Sequence, residues 1–171
     1  MPTDYHSVAL RVYTLILVIT RPYFARYLME DIFNPQYCVA NNLHKTARII
    51  SRIYGEEMRS SGLQRSQFAI LGNLTATTAI ALNQLAERLC MERTTLSRNL
   101  KPLVQQGYIS IAASSTDGRI KEISITSTGR AKFKQALKLW RGAQQRIINA
   151  YGETSWRKLE ESLRDLRSID A

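Results

Sequence analysis

The sequence predicts a mainly α-helical (α+β) fold that includes one small β-hairpin. Apolar residues recur at helical spacing in a series of segments between residues 34 and 169. Residues 109–126 differ, because apolar and polar side chains alternate there on either side of Asp117-Gly118, an arrangement typical of a hairpin. Hydrophobic residues make up 44% of the 171 positions, which is enough for one domain with a substantial core.

Residues 1–33 are an extension whose role the sequence leaves open. Residues 12–20 are apolar and rich in β-branched side chains, but they are too few to span a bilayer, and arginines flank them. No signal peptide is expected, since residues 1–6 carry no positive charge on a side chain other than His6, and no small-residue cleavage site follows the apolar run. Three interpretations remain: an element packed on the core or a second subunit, a disordered arm, or an upstream extension of a chain that starts functionally at Met29. We favour the first, because exposed apolar runs promote aggregation.

Two helices are predicted next. Asn34-Pro35 indicates a helix start, a capping residue followed by proline at the first helical position, and this helix runs to about Met58. Its apolar stripe consists of Leu43, Ala47, Ile50 and Tyr54. Ser66 then caps a shorter helix with an apolar face of Phe68, Leu71 and Leu74.

Residues 82–104 contain two short apolar stripes at the spacing of a helix-turn-helix. Asn83 is the predicted cap of the first helix, and Cys90 is expected to pack in the core between the two. The stripes are Leu82, Leu85, Ala86 and Leu89, then Leu96, Leu100, Leu103 and Val104. The second helix carries cations and hydroxyls at Arg93, Thr94, Thr95, Ser97, Arg98 and Lys101. Such a face suits a DNA groove, because arginine binds guanine or phosphate. The alternative is a solvated face on an ordinary packed helix.

The hairpin that follows has the position of a wing. Pro102 predicts a kink or a tightened last turn in the preceding helix, and Gly107 ends that helix. Asp117 and Arg119 lie at the hairpin tip, where a cation can enter a neighbouring minor groove. The alternative is that these two side chains pair with each other across the turn.

Two long apolar-faced helices complete the chain. The first begins at residues 126–129 and runs to about Ala150, and Thr154 is the predicted cap of the second. Their stripes are Phe133, Leu137, Trp140, Gln144, Ile147 and Tyr151, then Trp156, Leu159, Leu163 and Leu166. A second copy would cover such faces, and a symmetric dimer would present two recognition helices to a paired DNA site. The basic stripe Arg130, Lys134, Lys138 and Arg141 is expected to be solvated or paired with acids; the alternative is an anionic ligand.

Composition restricts the class of function. There are 24 Lys and Arg against 14 Asp and Glu, a formal net charge of +10, which favours an acidic polymer or surface as partner. Cys38 and Cys90 are too few for a disulfide framework, which predicts a reducing compartment. The two histidines, His6 and His44, give little support for a metal site. No nucleophile elbow, phosphate loop or dinucleotide fingerprint is present, so we predict no catalytic residue, metal or cofactor.

Several motifs resemble the MarR family of bacterial winged-helix regulators. They are Leu85-Ala86-Glu87-Arg88-Leu89, residues 91–98, residues 103–107, Asp117-x-Arg119, Ile125-Thr126-x-x-Gly129-Arg130 and Leu43-x-x-x-Ala47-Arg48. The resemblance covers about residues 34–169 and keeps the order and spacing of the motifs. It implies a winged helix-turn-helix at 82–126 with N- and C-terminal dimerisation helices at 34–62 and 130–169, and leaves residues 1–33 outside.

The resemblance also implies a function. It predicts a cytoplasmic, nucleoid-associated bacterial regulator without a membrane partner, a homodimer that binds a double-stranded DNA operator. The helix starting near Glu92 would lie in the major groove, and Arg119 would reach the minor groove. A small phenolic or lipophilic effector, or an oxidant, would release a repressor of this kind.

Cys38 is the candidate redox sensor, because the first turn of a long helix favours a thiolate; the alternative is a small residue buried at the interface. Two rival functions remain: a DNA-architectural or nucleic-acid-binding protein that senses nothing, and an enzyme with an appended winged helix, for which no cleft of titratable groups is evident.

Overall fold

The structure, a computed structural model, describes residues 32–114 and 116–170. Helices and strands follow in the order α1 (Val39–Glu57), α2 (Arg65–Thr75), β1 (Ile80–Ala81), α3 (Leu82–Arg88), α4 (Arg93–Gln105), β2 (Ile109–Ala113), β3 (Lys121–Ile125), α5 (Ser127–Tyr151) and α6 (Glu153–Arg167). Short 3₁₀ helices lie at Pro35–Tyr37, Arg59–Ser61 and Ser168–Asp170. The predicted mainly α-helical fold with a winged helix-turn-helix is confirmed.

The described residues fall into two units that divide between Ile49 and Ile50, within α1. Most of the extension discussed above, up to residue 31, lies outside the described residues. Across the described ranges, no helix is both long enough and apolar enough to cross a membrane.

The first unit corrects the predicted start of the long helix. The Asn34 side chain accepts a hydrogen bond from the Gln36 amide at 3.1 Å, but it caps a 3₁₀ turn and not the long helix. Cys38 has a non-helical conformation (φ −52°, ψ 118°), and α1 begins at Val39. The Asn42 Nδ2 donates to the carbonyl oxygens of Gln36 and Cys38, both at 3.0 Å, which stabilises this irregular entry. Cys38 therefore precedes the helix rather than lying in its first turn.

The core lies in the second unit. Its members come from the helices and strands between Met58 and Ala136, and they include most of the predicted apolar faces of α2, α3 and α4. Stacked aromatic rings join α2 to α5, with ring centroids 4.9 Å apart for Phe68 and Phe133 and 6.0 Å apart for Phe68 and Trp140. The Tyr54 ring lies 6.2 Å from that of Trp140, which brings the last turns of α1 into the same stack.

Helix starts differ from several predicted caps. Ser66, Asn83 and Thr154 all lie inside helices. At α2 the backbone amide of Gln64 donates to Gln67 Oε1 at 2.9 Å. The N-terminal cap of this helix is therefore Gln64, two residues before the predicted Ser66. Extended Ala81 leads directly from β1 into α3, and Gly152, with φ 90°, separates α5 from α6. The start of α5 is confirmed, since Thr126 accepts from the Gly129 amide at 3.0 Å.

The three strands form an antiparallel sheet in the order β1-β3-β2. Ile123 of β3 pairs with Ile80 of β1 and with Ile111 of β2, while Ile109 pairs with Ile125. Ile80, Ile109, Ile123 and Ile125 are buried. The sheet therefore fixes the hairpin to the helical core next to α3 and α4.

Candidate nucleic-acid interface

Helix α4 has one face in the core and one in solvent. Leu96, Leu100 and Leu103 are at most 2% exposed. The opposite face carries the polar residues singled out from the sequence, of which Arg93, Thr94, Ser97, Arg98 and Lys101 are exposed and Thr95 is half-buried. Val104, predicted to join the apolar stripe, is 42% exposed. It follows Leu103 by about 100° around the helix, so the two residues cannot share one narrow stripe.

The turn before α4 corrects the prediction for Cys90. This residue is exposed and has φ 48°, the left-handed conformation that reverses the chain between the two helices. The next residue, Met91, donates its amide to the Ala86 carbonyl at 2.9 Å and packs against the core. Met91 therefore occupies the interior position between the helices that was assigned to Cys90.

The hairpin tip carries an exposed cationic side chain, Arg119. Asp117 Oδ1 accepts from the backbone amide of Arg119 at 2.9 Å, and the Asp117 carbonyl accepts from Ile120 at the same distance. Among the described residues, no ion pair joins the Asp117 carboxylate to the Arg119 guanidinium. Asp117 thus shapes the turn by accepting from two backbone amides, and the exposed Arg119 guanidinium is available to a ligand.

The base of the hairpin is fixed to the first turn of α5. Thr126 Oγ1 donates to the Gly107 carbonyl at 2.7 Å, and the Thr126 amide donates to the Tyr108 carbonyl at 3.1 Å. A Cβ atom added to Gly129 would lie only 2.0 Å from the Tyr108 oxygen. Only glycine allows the first turn of α5 to come this close to the Tyr108 carbonyl. The two hydrogen bonds then hold the base of the hairpin against α5.

A pair of polar residues behind the exposed face was missed by sequence reasoning. Ser66 Oγ of α2 lies 2.6 Å from Asn99 Oδ1 of α4. The same Asn99 donates through Nδ2 to the Thr95 carbonyl at 2.9 Å. Thirty-three positions separate the first two residues, so no local pattern in the sequence could have connected them.

Among the residues that the structure describes, no ion pair involves the basic face of α5. Arg130, Lys134, Lys138 and Arg141 are all exposed. In the parts of the chain that the structure covers, the ion pairs join Arg146 to Glu57, Arg157 to Glu153 and Arg164 to Glu160. The same parts contain no group of three His, Cys, Asp or Glu residues that could hold a metal ion. The described surface carries cations and hydroxyls on α4 and the Arg119 guanidinium on the wing. Such groups bind phosphates and the edges of bases.

The sequence and the fold are similar to those of known proteins. The model of the MarR family matches residues 61–120, which include the helix-turn-helix, β2 and the loop that follows β2. The HTH-type transcriptional regulator YybA of Bacillus subtilis, described as uncharacterized, is 30% identical over 87 residues. That alignment covers 51% of this chain, and the chain spans 58% of the length of this curated relative.

Solved structures extend the likeness. The transcriptional regulator MosR of M. tuberculosis, in complex with DNA, is 32% identical, with a TM-score of 0.69 over 75% of this chain and 92% of that one. A mutant of MarR from E. coli complexed with operator DNA is 20% identical, with a TM-score of 0.71 over 79% of this chain and 97% of that one, a likeness in fold alone. The MarR family consists of DNA-binding transcriptional regulators and not of enzymes. On the matching family model and the 32% identity with MosR, this chain belongs to the MarR family.

Proposed function

We propose that this chain is a sequence-specific DNA-binding regulator that recognises a pseudo-palindromic operator as a homodimer. The observation that carries the proposal is the solvent face of α4, where cations and hydroxyls lie opposite three buried leucines. Proposed base and phosphate contacts are Arg93, Thr94, Thr95, Ser97, Arg98 and Lys101. At the wing, Arg119 enters the minor groove and Asp117 holds the turn.

Exposed apolar side chains on α1 and α6 support the dimer. Neither α1 nor α6 has a buried residue in the single chain as described. Val39, Leu43 and Ile49 of α1 are exposed, and so is Leu166 of α6. A second copy that covers these apolar side chains also supplies the second recognition helix that a paired operator needs. Residues 34–62 and 130–169 are therefore the proposed dimerisation helices.

Release follows from the spacing of the two recognition helices. Half-sites of a paired operator lie about one helical turn apart, roughly 34 Å. A phenolic or lipophilic effector, or oxidation of Cys38, that favours another dimer shape would change this spacing and cost base contacts. The effector must bind one of the two shapes better than the other, because equal affinity shifts no population.

The test compares two exposed arginines. Arg98→Ala removes a cation from the proposed reading face, and Arg141→Ala removes one from α5. We expect Arg98→Ala to weaken binding to the operator by about 10- to 100-fold and to relax the preference at one base pair. Arg141 lies in a proposed dimerisation helix, so the comparison requires that Arg141→Ala is still a dimer; it should then change binding by less than about threefold. Equal effects of the two variants at constant salt would contradict the assignment of the reading face.

A further inference from the structure

Helix α4 is joined to α2 by a side-chain hydrogen bond behind its solvent face. Within the described residues, the contact between Ser66 and Asn99, at 2.6 Å, is the one side-chain hydrogen bond between these two helices. Both side chains are partly buried. Asn99 follows Arg98 directly and lies one turn after Thr95, so it adjoins the proposed reading face without belonging to it.

The orientation of the Asn99 amide follows from its two partners. The Thr95 carbonyl can only accept, so Nδ2 faces it, at 2.9 Å. The oxygen then faces Ser66, whose hydroxyl donates the proton. The amide is thus satisfied on both sides, and one side chain connects the backbone of α4 to the side chain of α2.

The partner helix is itself held firmly. Phe68, two residues after Ser66, stacks against Phe133 and Trp140 of α5. Asn99 is therefore bonded to a helix whose position the core already determines.

The apolar contacts of α4 do not provide the same restraint. Leu96, Leu100 and Leu103 hold the helix against the core, but hydrophobic packing has little directional preference. A hydrogen bond weakens steeply as its angle and length change, so it resists rotation and sliding of the helix. Contacts to base edges need such accuracy, whereas phosphate contacts position the protein without reading sequence.

We propose that Asn99, held by Ser66, is a positioning residue that sets the rotation of α4 and so determines base specificity. This inference rests on the proposed function, in which α4 reads the major groove. Loss of the bond should lower the preference for the operator over random DNA while leaving the affinity for random DNA largely intact.

The experiment measures the affinity of the full chain for its selected operator and for a random duplex of equal length, at one salt concentration. The variants are Ser66→Ala, Asn99→Ala and the double substitution. Each single change should weaken operator binding about three- to tenfold. The double change should weaken it no further, because both remove the same bond. Binding to the random duplex should change by less than about twofold.

Two further variants separate positioning from a loss of structure. Ser66→Thr keeps a hydroxyl and should restore most of the operator preference. Asn73→Ala removes a matched side-chain bond, from Nδ2 to the Ala69 carbonyl at 3.0 Å, and should leave the preference unchanged. Urea unfolding of each variant confirms that it is folded.

Each remaining outcome overturns the inference. Equal losses on the operator and the random duplex would assign Ser66 and Asn99 a merely structural role, and additive losses would show that they do not act together. If the parent chain selects an operator and the variants keep its preference, the inference fails while the proposed function stands. If the parent shows no preference for any sequence, the proposed function fails, and this inference with it.

Discussion

Gly129 is predicted to be the least tolerant position at the junction of wing and helix. An added Cβ would lie 2.0 Å from the Tyr108 oxygen, 2.8 Å from the Tyr108 carbonyl carbon and 2.9 Å from Ile125 Cγ1. The first two atoms belong to backbone and cannot rotate away. Gly129→Ala therefore forces the first turn of α5 about 1 Å or more away from the hairpin, since Cβ contacts under 3.0 Å are essentially never seen.

The expected loss of stability follows from the hydrogen bonds that this movement breaks. The amide of Thr126 bonds to the Tyr108 carbonyl at 3.1 Å, and its hydroxyl bonds to the Gly107 carbonyl at 2.7 Å. The loss of two hydrogen bonds costs about 1 kcal/mol each, and the remaining overpacking costs about 1–3 kcal/mol. Against these losses, alanine has a higher helix propensity than glycine, which contributes at most about 1 kcal/mol. We expect a net loss of about 2–4 kcal/mol in the free energy of unfolding.

Urea denaturation followed by circular dichroism measures this loss. Gly142→Ala, on the same helix, is the matched control, because no atom lies within 4 Å of its added Cβ. That control should gain about 0.5–1 kcal/mol from helix propensity. A Gly129→Ala variant as stable as the parent would refute the close contact between α5 and the hairpin.

Three further outcomes are expected. Leu103→Ala should cost about 2–5 kcal/mol in urea unfolding and Val104→Ala less than about 1 kcal/mol, because the first side chain is buried and the second is 42% exposed; equal losses would contradict the orientation of α4. Burial raises the pKa of the Tyr54 hydroxyl above its ordinary value of 10.0. The contribution of the neutral hydroxyl to stability is therefore complete below pH 10 and is lost as pH rises through the folded-state pKa. Tyr54→Phe should remove this alkaline loss of stability, which urea unfolding from about pH 9 to pH 11 measures. Peroxide should release operator DNA from the parent and from Cys90→Ser but not from Cys38→Ser, measured by fluorescence anisotropy; release from all three would exclude Cys38 as the sensor.

Periodicity was sufficient to predict the architecture. Leucines at positions 96, 100 and 103 must share one side of any helix, and burying them leaves the cations of α4 in solvent. Asp117-Gly118 between alternating segments likewise predicts a turn, because an aspartate carboxylate can accept from the backbone amide two residues later, as Asp117 does from Arg119. These features depend on near neighbours in the sequence, so the sequence alone reveals them.

Features that depend on distant neighbours could not be predicted in this way. No sequence pattern distinguishes Asn99 from the other polar residues of α4. It meets Ser66 only because α2 and α4 pack together. Ala136 and Ala143 are fully buried, although the predicted stripe of α5 names only larger residues. Small side chains mark close packing only once the partner helix is known. Cys90 is exposed because the turn takes a left-handed conformation that residue type alone does not indicate.

The most direct test of the account is a selection of fragments from sheared genomic DNA by the purified full chain, followed by alignment of the recovered sites. We expect a palindrome whose half-sites lie about one helical turn apart, roughly 34 Å, as two recognition helices of a dimer require. We also expect a preference for this site over random DNA of about 10³-fold or more. Diffuse recovery without a shared motif would contradict sequence-specific regulation and favour a DNA-architectural protein.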